Sequence, residues 1–282
     1  MARNTTRIQI VDNEKVMVKT MPKNLYNPAI YKWQNQIAEM LEKSDIGFYA
    51  NKVLKHDDGI LHLDYIDFQY NTEPDEKLIG KAMAQIHNYN RESLWKRTSI
   101  PIKQEKYNDM KNWIHDVPIK SDNWLFLKSK GIRREIFKSL KTIDEWPKHP
   151  KTVLHRDFRL HNILRDSVGY HLIDFDFAAV DYVGLEVMGL FTDLLEINKL
   201  KAFKFLEAYA QESIDFDWSY SMVDLFLCYL CTNTFPFSMS KHMDEKEIES
   251  LAEERNGRLR LVYEYKDEII KMIGDINEDI KN

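Results

Sequence analysis

The chain has 282 residues, of which 44% are hydrophobic and 12% aromatic, so it can bury a substantial core as one large domain or two lobes. Its 40 basic and 45 acidic residues leave a formal net charge of −5, which indicates no particular partner and argues against a nucleic-acid-binding face. The N-terminus lacks a signal-peptide core and no apolar run is long enough to cross a bilayer, so we expect a cytoplasmic protein without a membrane partner.

A hairpin is predicted at the start of the chain, where residues 7–11 and 15–19 alternate with period two around a turn at residues 12–14. Lys19 ends the second strand. A lysine at this place is either a solvated strand-end charge or a residue that holds the α- and β-phosphates of a nucleotide. The pattern alone does not separate the two.

A helix is predicted to begin at Asn27 and Pro28, because proline suits the first turn of a helix. Gln34 lies on the predicted buried side, whereas Glu39 points roughly the opposite way at ~100° per residue. The buried stripe consists of the apolar residues Ile30, Trp33, Ile37, Met40 and Leu41.

A second hairpin is predicted from residues 49–54 and 60–66, because Asp58-Gly59 between alternating segments is a strong turn signal. Residues 67–74 break the pattern and are the best candidate for a connection between two lobes. The N-terminal lobe would comprise residues 1–67 and the C-terminal lobe residues 68–282. The helix that follows, residues 75–90, carries His87 close to its apolar face, where a histidine is more often packed than a ligand.

Further helices are predicted over residues 103–115, 131–146, 185–197, 200–213, 218–232 and 244–276, the last with a break near Asn256-Gly257. The two cysteines, Cys228 and Cys231, have C-x-x-C spacing within a continuous apolar helical pattern. No second Cys or His pair accompanies them, so we expect buried packing rather than a zinc site.

Two short apolar runs, residues 153–154 and 171–173, predict buried strands on either side of a polar loop. His155, Asp157 and Asn162 follow the first run, and Asp174 and Asp176 follow the second. An amide between two carboxylates suits a phosphoryl-transfer centre. One carboxylate would orient and deprotonate an acceptor hydroxyl, and the amide and the other carboxylate would bind Mg²⁺.

These residues resemble the aminoglycoside phosphotransferase and choline kinase family, relatives of the protein kinases. The resemblance spans roughly residues 7–195 and is supported by Lys19, residues 63–66 and residues 79–87. It implies an α+β, two-lobed, protein-kinase-like fold. The N-terminal lobe would be small, β-rich and shortened at its start, and the C-terminal lobe larger and mainly helical.

By that resemblance Asp157 is the catalytic base, and Asn162 and Asp174 hold Mg²⁺. Mg²⁺ usually takes only one or two carboxylates plus substrate phosphates. Asp176 is therefore expected to support the metal ligands and not to bind the metal directly. His155 is expected to brace the loop. We also expect Arg159, two residues after the base, to approach the transferred phosphate.

The nucleotide, ATP or GTP, would be bound at its phosphates by Lys19 and at its base by the backbone of Asp64, Tyr65 and Ile66. The family presents a glutamate from the first helix to the strand lysine. Gln34 would take that place here, with a hydrogen bond to Lys19 instead of an ion pair.

The chain departs from the family pattern elsewhere too. Only 18 residues precede Lys19, so the first strand and its nucleotide-covering loop are expected to be shortened or missing, and no Gly-rich stretch stands there. Glu186 stands where the family usually has an aspartate. These departures bear on nucleotide affinity more than on the fold.

The leading functional hypothesis is transfer of the γ-phosphate to a hydroxyl of a small molecule, an aminoglycoside-like or choline-like amine. Carboxylates and aromatic rings of residues 215–218, Tyr220, Asp224 and residues 235–237 would suit such a cation, or they are helix core. The alternative is a degenerate nucleotide-binding or non-catalytic member, such as a spore-coat-type protein. A protein kinase is a third option, opposed because no activation segment is recognisable after Asp174.

Overall fold

The computed structural model describes residues 5–23, 26–68, 75–92, 99–101, 150–214, 223, 257–258 and 260–281. The helices are α1 (Pro28–Ser44), α2 (Glu76–Glu92), α3 (Val183–Ile197), α4 (Lys199–Glu212) and α5 (Lys266–Lys281). The strands are β1 (Thr5–Val11), β2 (Glu14–Thr20), β3 (Phe48–Ala50), β4 (Val53–Asp57), β5 (Ile60–Asp64), β6 (Lys151–Leu154), β7 (Ile163–Arg165), β8 (Tyr170–Leu172) and β9 (Ala179–Tyr182).

Several predictions fall outside these residues. They are the helices predicted over residues 103–115 and 131–146, both cysteines, and all but Val223 of the helix predicted over residues 218–232. The last described helix runs past residue 276, where the sequence pattern placed its end, to Lys281. None of the helices within the described part of the chain is long and apolar enough to cross a membrane.

The N-terminal sheet is antiparallel, with strand order β1-β2-β5-β4. Asp12 and Asn13 join β1 to β2 with φ of 52° and 69°, and Asp58 and Gly59 join β4 to β5 with φ of 40° and 91°. Two successive residues in the left-handed region match the twist of a two-residue hairpin, which explains the Asp, Asn and Gly at these positions. The turns of both predicted hairpins are confirmed.

The strand predicted over residues 49–54 is wrong in its extent, because it is divided between two sheets. Its first part, β3, pairs in parallel with β8, and β4 begins only at Val53. Asn51 lies between them and continues the parallel pairing, donating its backbone N–H to the carbonyl of Leu172 at 3.1 Å. The chain therefore reaches from the N-terminal sheet into the segment that carries the candidate catalytic residues.

Helix α1 begins and ends as its sequence dictates. The Asn27 side chain accepts the N–H of Ala29 at 3.0 Å, and Asp45 ends the helix in the left-handed conformation. Most of the predicted apolar stripe is buried, and Met40 is partly buried. Trp33 meets the edge of Phe175 at a ring distance of 5.5 Å, so this helix packs directly against the segment after Asp174.

The C-terminal part is mainly helical and packs around a short β-hairpin and a strand pair. β7 pairs with β8 and β6 with β9, both antiparallel. Helix α4 packs against α2, α3 and α5. At Gly80 in α2, a Cβ atom would lie 2.5 Å from the carbonyl oxygen of Phe205 in α4, so only glycine allows this approach. The arrangement is the predicted α+β combination of a small β-rich part and a larger helical part.

Candidate active site

The loop after β6 and the end of β8 are joined by two hydrogen bonds. Ile173 donates its N–H to the carbonyl of Asn162 at 3.0 Å, and Nε2 of buried His155 donates to the carbonyl of Ile173 at 2.9 Å. Nδ1 of His155 accepts the N–H of Asp157 at 3.3 Å. Burial lowers the pKa of His155, so the imidazole is neutral and serves as a brace, as the sequence predicted.

Asn162 holds the predicted base. Its Nδ2 donates to the backbone carbonyl and to Oδ2 of Asp157, both at 2.8 Å. Because both bonds use the amide nitrogen, the amide oxygen is the atom directed elsewhere and able to bind a cation. The two residues predicted to act as base and as metal ligand are thus in direct contact.

Lys19 reaches from β2 to the segment after β8. Its Nζ lies 2.7 Å from Oδ1 of Asp174 and 2.5 Å from Oδ2 of Asp176. Burial opposes the ammonium charge, but the two carboxylates outweigh it and raise the pKa of Lys19. The predicted phosphate-binding lysine and the predicted metal-binding carboxylate, 155 positions apart in the chain, therefore belong to one site.

The two aspartates differ in their environment. Burial acts to raise the pKa of Asp174, yet the charge of Lys19 outweighs it and the pKa is lowered. Burial raises the pKa of Asp176, and the adjacent Asp174 charge adds to the effect. The Asp174 backbone is left-handed, with φ of 64°, a conformation that is uncommon for non-glycine residues and recurs at active sites.

The donor set fits Mg²⁺. No three His, Cys, Asp or Glu side chains converge on a metal position in the residues described. The carboxylate of Asp174, whose side chain is 37% exposed, and the amide oxygen of Asn162 are hard oxygen ligands, and Mg²⁺ usually takes only one or two carboxylates besides waters and phosphates.

Gln34 does not make the hydrogen bond predicted for it. Its Nε2 donates to the carbonyl and to Oδ1 of Asn51, at 2.7 and 2.9 Å, and Lys19 is bound by the two aspartates. The physical reason is the division of the strand after Ala50. Asn51 lies between β3 and β4 there, and its backbone carbonyl and side-chain oxygen are buried next to α1, where the glutamine amide donates to both.

Asp64 is the last residue of β5 and begins the predicted base-binding segment. Its N–H donates to the carbonyl of Lys52, and its carboxylate accepts the N–H of the same residue at 2.7 Å. Burial raises the pKa of Asp64 to about 6. Ile66 is buried, and the ammonium of Lys15 lies 5.0 Å from the ring centre of Tyr65. The binding of a nucleotide base by this backbone stays a prediction.

Arg159 has a partner that the sequence did not reveal. Nε and Nη2 of Arg159 bind the two carboxylate oxygens of Asp193 on α3, and Arg258 lies 3.3 Å from the same carboxylate. Two of the three guanidinium nitrogens are therefore occupied by Asp193. No local pattern marks Asp193, because only the docking of α3 brings it to the loop.

A buried polar chain lies beneath the same loop. Glu186 accepts the N–H of Arg156 with one oxygen and contacts Nε2 of His87 with the other, at 2.9 Å. Nδ1 of His87 is 3.0 Å from the hydroxyl of Tyr209. His87 is thus a packed residue, as expected, and it packs against Glu186, the side chain that holds the loop. The residues predicted on the acceptor side, by contrast, lie outside the described residues.

The loop after β6 is hydrogen-bonded to the segment after β8, and Lys19 of β2 contacts a carboxylate of that segment. This arrangement is that of a kinase-like phosphotransferase. The model of the phosphotransferase enzyme family matches residues 78–219, just over half of the chain, and the chain belongs to that family. The matched region contains Asp157, Asn162 and Asp174, whereas Lys19 precedes it. No curated protein sequence matches the chain.

Solved structures share the fold at low sequence identity. A choline/ethanolamine kinase family protein from Mesorhizobium loti has 13% identity and a TM-score of 0.58, over 93% of this chain and 86% of that one. Amicoumacin kinase in complex with AMP-PNP and Ca²⁺ has 12% identity and a TM-score of 0.59, over 92% and 86%. Spectinomycin phosphotransferase in complex with ADP has 13% identity and a TM-score of 0.57, over 93% and 89%. The predicted family and kinase-like fold are confirmed.

Proposed function

We propose that this protein transfers the γ-phosphate of ATP or GTP, with Mg²⁺, to a hydroxyl of a small molecule. The observation that carries the proposal is the contact of Lys19 with Asp174, at 2.7 Å, across the gap between the N-terminal sheet and the segment after β8. The cation proposed to bind phosphate, Lys19, and the carboxylate proposed to bind the metal, Asp174, meet there. The loop that carries Asp157 is hydrogen-bonded to the same segment. Such a site positions and neutralises a triphosphate.

In this proposal each residue has one task. Asp157 accepts the proton of the acceptor hydroxyl, and its carboxylate is held by the Asn162 amide for that purpose. Lys19 binds phosphate oxygens, and Asn162 and Asp174 hold the metal. When bound, Mg²⁺ would supply charge neutralisation at the transferred phosphoryl group. Since the transition state is loose, orientation of the hydroxyl matters more than a strongly basic carboxylate.

The acceptor class is an alcohol that also carries an amine. The similar structures described above are of kinases of choline or ethanolamine, of amicoumacin and of spectinomycin, and they support this class for the present chain. A second candidate is a nucleotide-binding member without catalysis. The turn between β1 and β2 favours it, because Asp12 and Asn13 form no Gly-rich loop that could cover a nucleotide.

One screen tests both candidates. Purified protein is incubated with ATP or GTP and Mg²⁺ and with aminoglycosides, choline, ethanolamine, homoserine and related alcohols, and phosphorylated product is detected by mass spectrometry. We expect product with one acceptor, and Asp157→Asn should reduce its formation by roughly 10²-fold or more. The matched control is Asp267→Asn, which removes an exposed carboxylate on α5.

The outcomes separate the hypotheses. Product formation that survives in Asp157→Asn would refute the assigned base. Thermal stabilisation by a nucleotide, without product from any acceptor, would favour the non-catalytic member. A protein that no nucleotide stabilises would contradict both, because a ligand that binds only the folded state must raise its stability.

A further inference from the structure

We propose that Asp176 is the positioning residue for Lys19: it is the counter-ion that holds the lysine ammonium in place and directs it at the phosphates. The inference rests on the proposed function, since it concerns the same site. It assigns Asp176 to the lysine and leaves Asp174 as the carboxylate for the metal.

A buried ammonium needs a permanent partner. Lys19 is buried, and isolated charges are costly inside a protein unless they are paired. A lysine that must release one carboxylate to a metal needs a second one that stays in place.

Helix α1 does not supply that partner. Its only two carboxylates are Glu39 and Glu42. Glu39 is exposed, and Glu42 lies 2.6 Å from the ammonium of Lys52. Gln34, on the buried face, directs its amide nitrogen to Asn51. The carboxylate that a kinase-like helix would offer to the lysine is therefore absent from this helix.

Asp176 has the environment of a counter-ion and Asp174 that of a metal ligand. The Asp176 side chain is 8% exposed and lies 2.5 Å from Nζ of Lys19, whereas the Asp174 side chain is 37% exposed. A metal that arrives with a nucleotide meets the exposed carboxylate first. Lys19 would then lose its contact with Asp174 and keep the one with Asp176.

The backbone makes this division possible. Asp174 is left-handed and caps a single 3₁₀ turn, Phe175–Phe177, so that two carboxylates two positions apart both reach one ammonium. Phe175 between them is buried against Trp33 and His155, at ring distances of 5.5 and 4.6 Å. The turn is held from both sides, which fixes Asp176 in place.

The competing role for Asp176 is that of a further metal ligand, and a magnesium titration separates the two. Thermal unfolding is followed with the nucleotide, ATP or GTP, that stabilises the wild-type protein, first against nucleotide at saturating Mg²⁺ and then against Mg²⁺ at fixed nucleotide. The variants are Asp176→Asn, Asp174→Asn, Lys19→Met and the double variant Lys19→Met/Asp176→Asn. Unfolding without ligand reports whether each variant is folded.

If Asp176 acts through Lys19, Asp176→Asn weakens nucleotide binding about tenfold, and adding it to Lys19→Met weakens binding no further, because both changes remove one interaction. Its Mg²⁺ midpoint stays near the wild-type value, whereas that of Asp174→Asn rises. Asp176→Glu should recover part of the affinity.

The proposal is overturned if Asp176→Asn raises the Mg²⁺ midpoint as Asp174→Asn does, in the Lys19→Met background as well as in the wild type. That result would make Asp176 a metal ligand and leave the proposed function intact. A wild-type protein that no nucleotide stabilises would instead contradict the proposed function itself.

Discussion

His87 and Glu186 meet in the interior of the helical part, with Nε2 of the histidine 2.9 Å from Oε2 of the glutamate and both side chains almost fully buried. The other glutamate oxygen accepts the backbone N–H of Arg156, the residue before the predicted base. Arg156 is left-handed, with φ of 66°, a conformation that costs on the order of 1 kcal/mol or more and persists only where the surroundings enforce it. Glu186 thus holds the loop in a conformation that it would not adopt alone.

Replacing Glu186 by alanine should lower turnover and stability together. The change leaves the Arg156 N–H and one nitrogen of His87 buried without a partner, which costs about 1–3 kcal/mol for each group. We expect kcat to fall about tenfold or more because Asp157 is displaced, a sensitivity typical of catalytic groups. The KM for nucleotide should change little. Kinetics on the identified acceptor and urea unfolding measure these quantities.

Two further variants show whether the effect passes through the loop. Glu186→Gln keeps one oxygen for Arg156 and should retain most of the turnover. Thr192→Val is a control on the same helix, where a buried hydroxyl donates to the carbonyl of Met188 at 2.7 Å. It should destabilise the protein and leave kcat unchanged. A loss of kcat in Thr192→Val equal to that in Glu186→Ala would contradict the role of the glutamate.

The pair of Arg159 and Asp193 should be strongly coupled. Because breaking a buried ion pair from one side leaves a charge without compensation, Asp193→Ala should destabilise the protein by about 2–4 kcal/mol. The double variant Arg159→Ala/Asp193→Ala should lose less than the sum of the single changes. Denaturant unfolding of the four proteins gives the coupling.

The kinetic role of Arg159 is separable from this ion pair. If the guanidinium approaches the transferred phosphate with its remaining nitrogen, Arg159→Lys lowers kcat because a lysine cannot serve both partners. Unchanged turnover in Arg159→Ala would rule out the predicted approach to the phosphate and leave a purely structural contact with Asp193.

Much of the site was predictable because short local patterns determine it. Turn chemistry at Asp58-Gly59 and the apolar stripe around Trp33 predicted elements that the structure has. Asp157 and Asn162 were predicted to lie in one site, and their side chains are in contact. The polar residues of the site follow two short apolar strands, so the local sequence pattern determines where they lie.

The misses concern pairings that only the tertiary structure determines. The sequence pattern predicted one strand over residues 49–54, and nothing local shows that β3 leaves the hairpin to pair with β8. Gln34 was correctly placed on the buried face, yet its partner depends on where Asn51 falls after that division. The contact of Asp193 with Arg159 likewise depends on the docking of a helix.

The parallel pairing of β3 with β8 should be sensitive to Gly169. A Cβ atom at this position would lie 2.3 Å from the carbonyl oxygen of Gly47, whose bond from the Tyr170 N–H holds the two segments together. Backbone cannot yield as a flexible side chain does, so Gly169→Ala should destabilise the protein by about 2–4 kcal/mol, the range of severe overpacking.

The matched control for that change is Gly189→Ala in α3, where no atom lies within 4 Å of the new Cβ. Alanine in a helix should stabilise the protein by about 0.5–1 kcal/mol. Thermal unfolding of both variants measures the contrast, and equal effects of the two substitutions would show that the contact with Gly47 is not tight.

Asp64 should make stability depend on pH in an unusual direction. Burial raises its folded-state pKa to about 6, above the ordinary value of 3.8, so the folded protein binds the proton more tightly than the unfolded chain does. The stabilisation from this group is fully present below pH 3.8 and is lost as the pH rises through 6. At neutral pH the buried carboxylate is charged and costs on the order of 1–2 kcal/mol once solvent screening is allowed for.

Asp64→Asn removes that charge and keeps an oxygen to accept the N–H of Lys52. We therefore expect the variant to be more stable than the wild type at pH 7–8, by about 1–2 kcal/mol, with the difference shrinking toward zero as the pH falls from 6 to 4. Titrating groups that do not interact with Asp64 cancel in the difference between the two proteins, so unfolding measured across this range reports on Asp64 and its immediate charged neighbours. A variant that is less stable at pH 7 and gains on acidification would show that the carboxylate is stabilised by its surroundings, contrary to its burial.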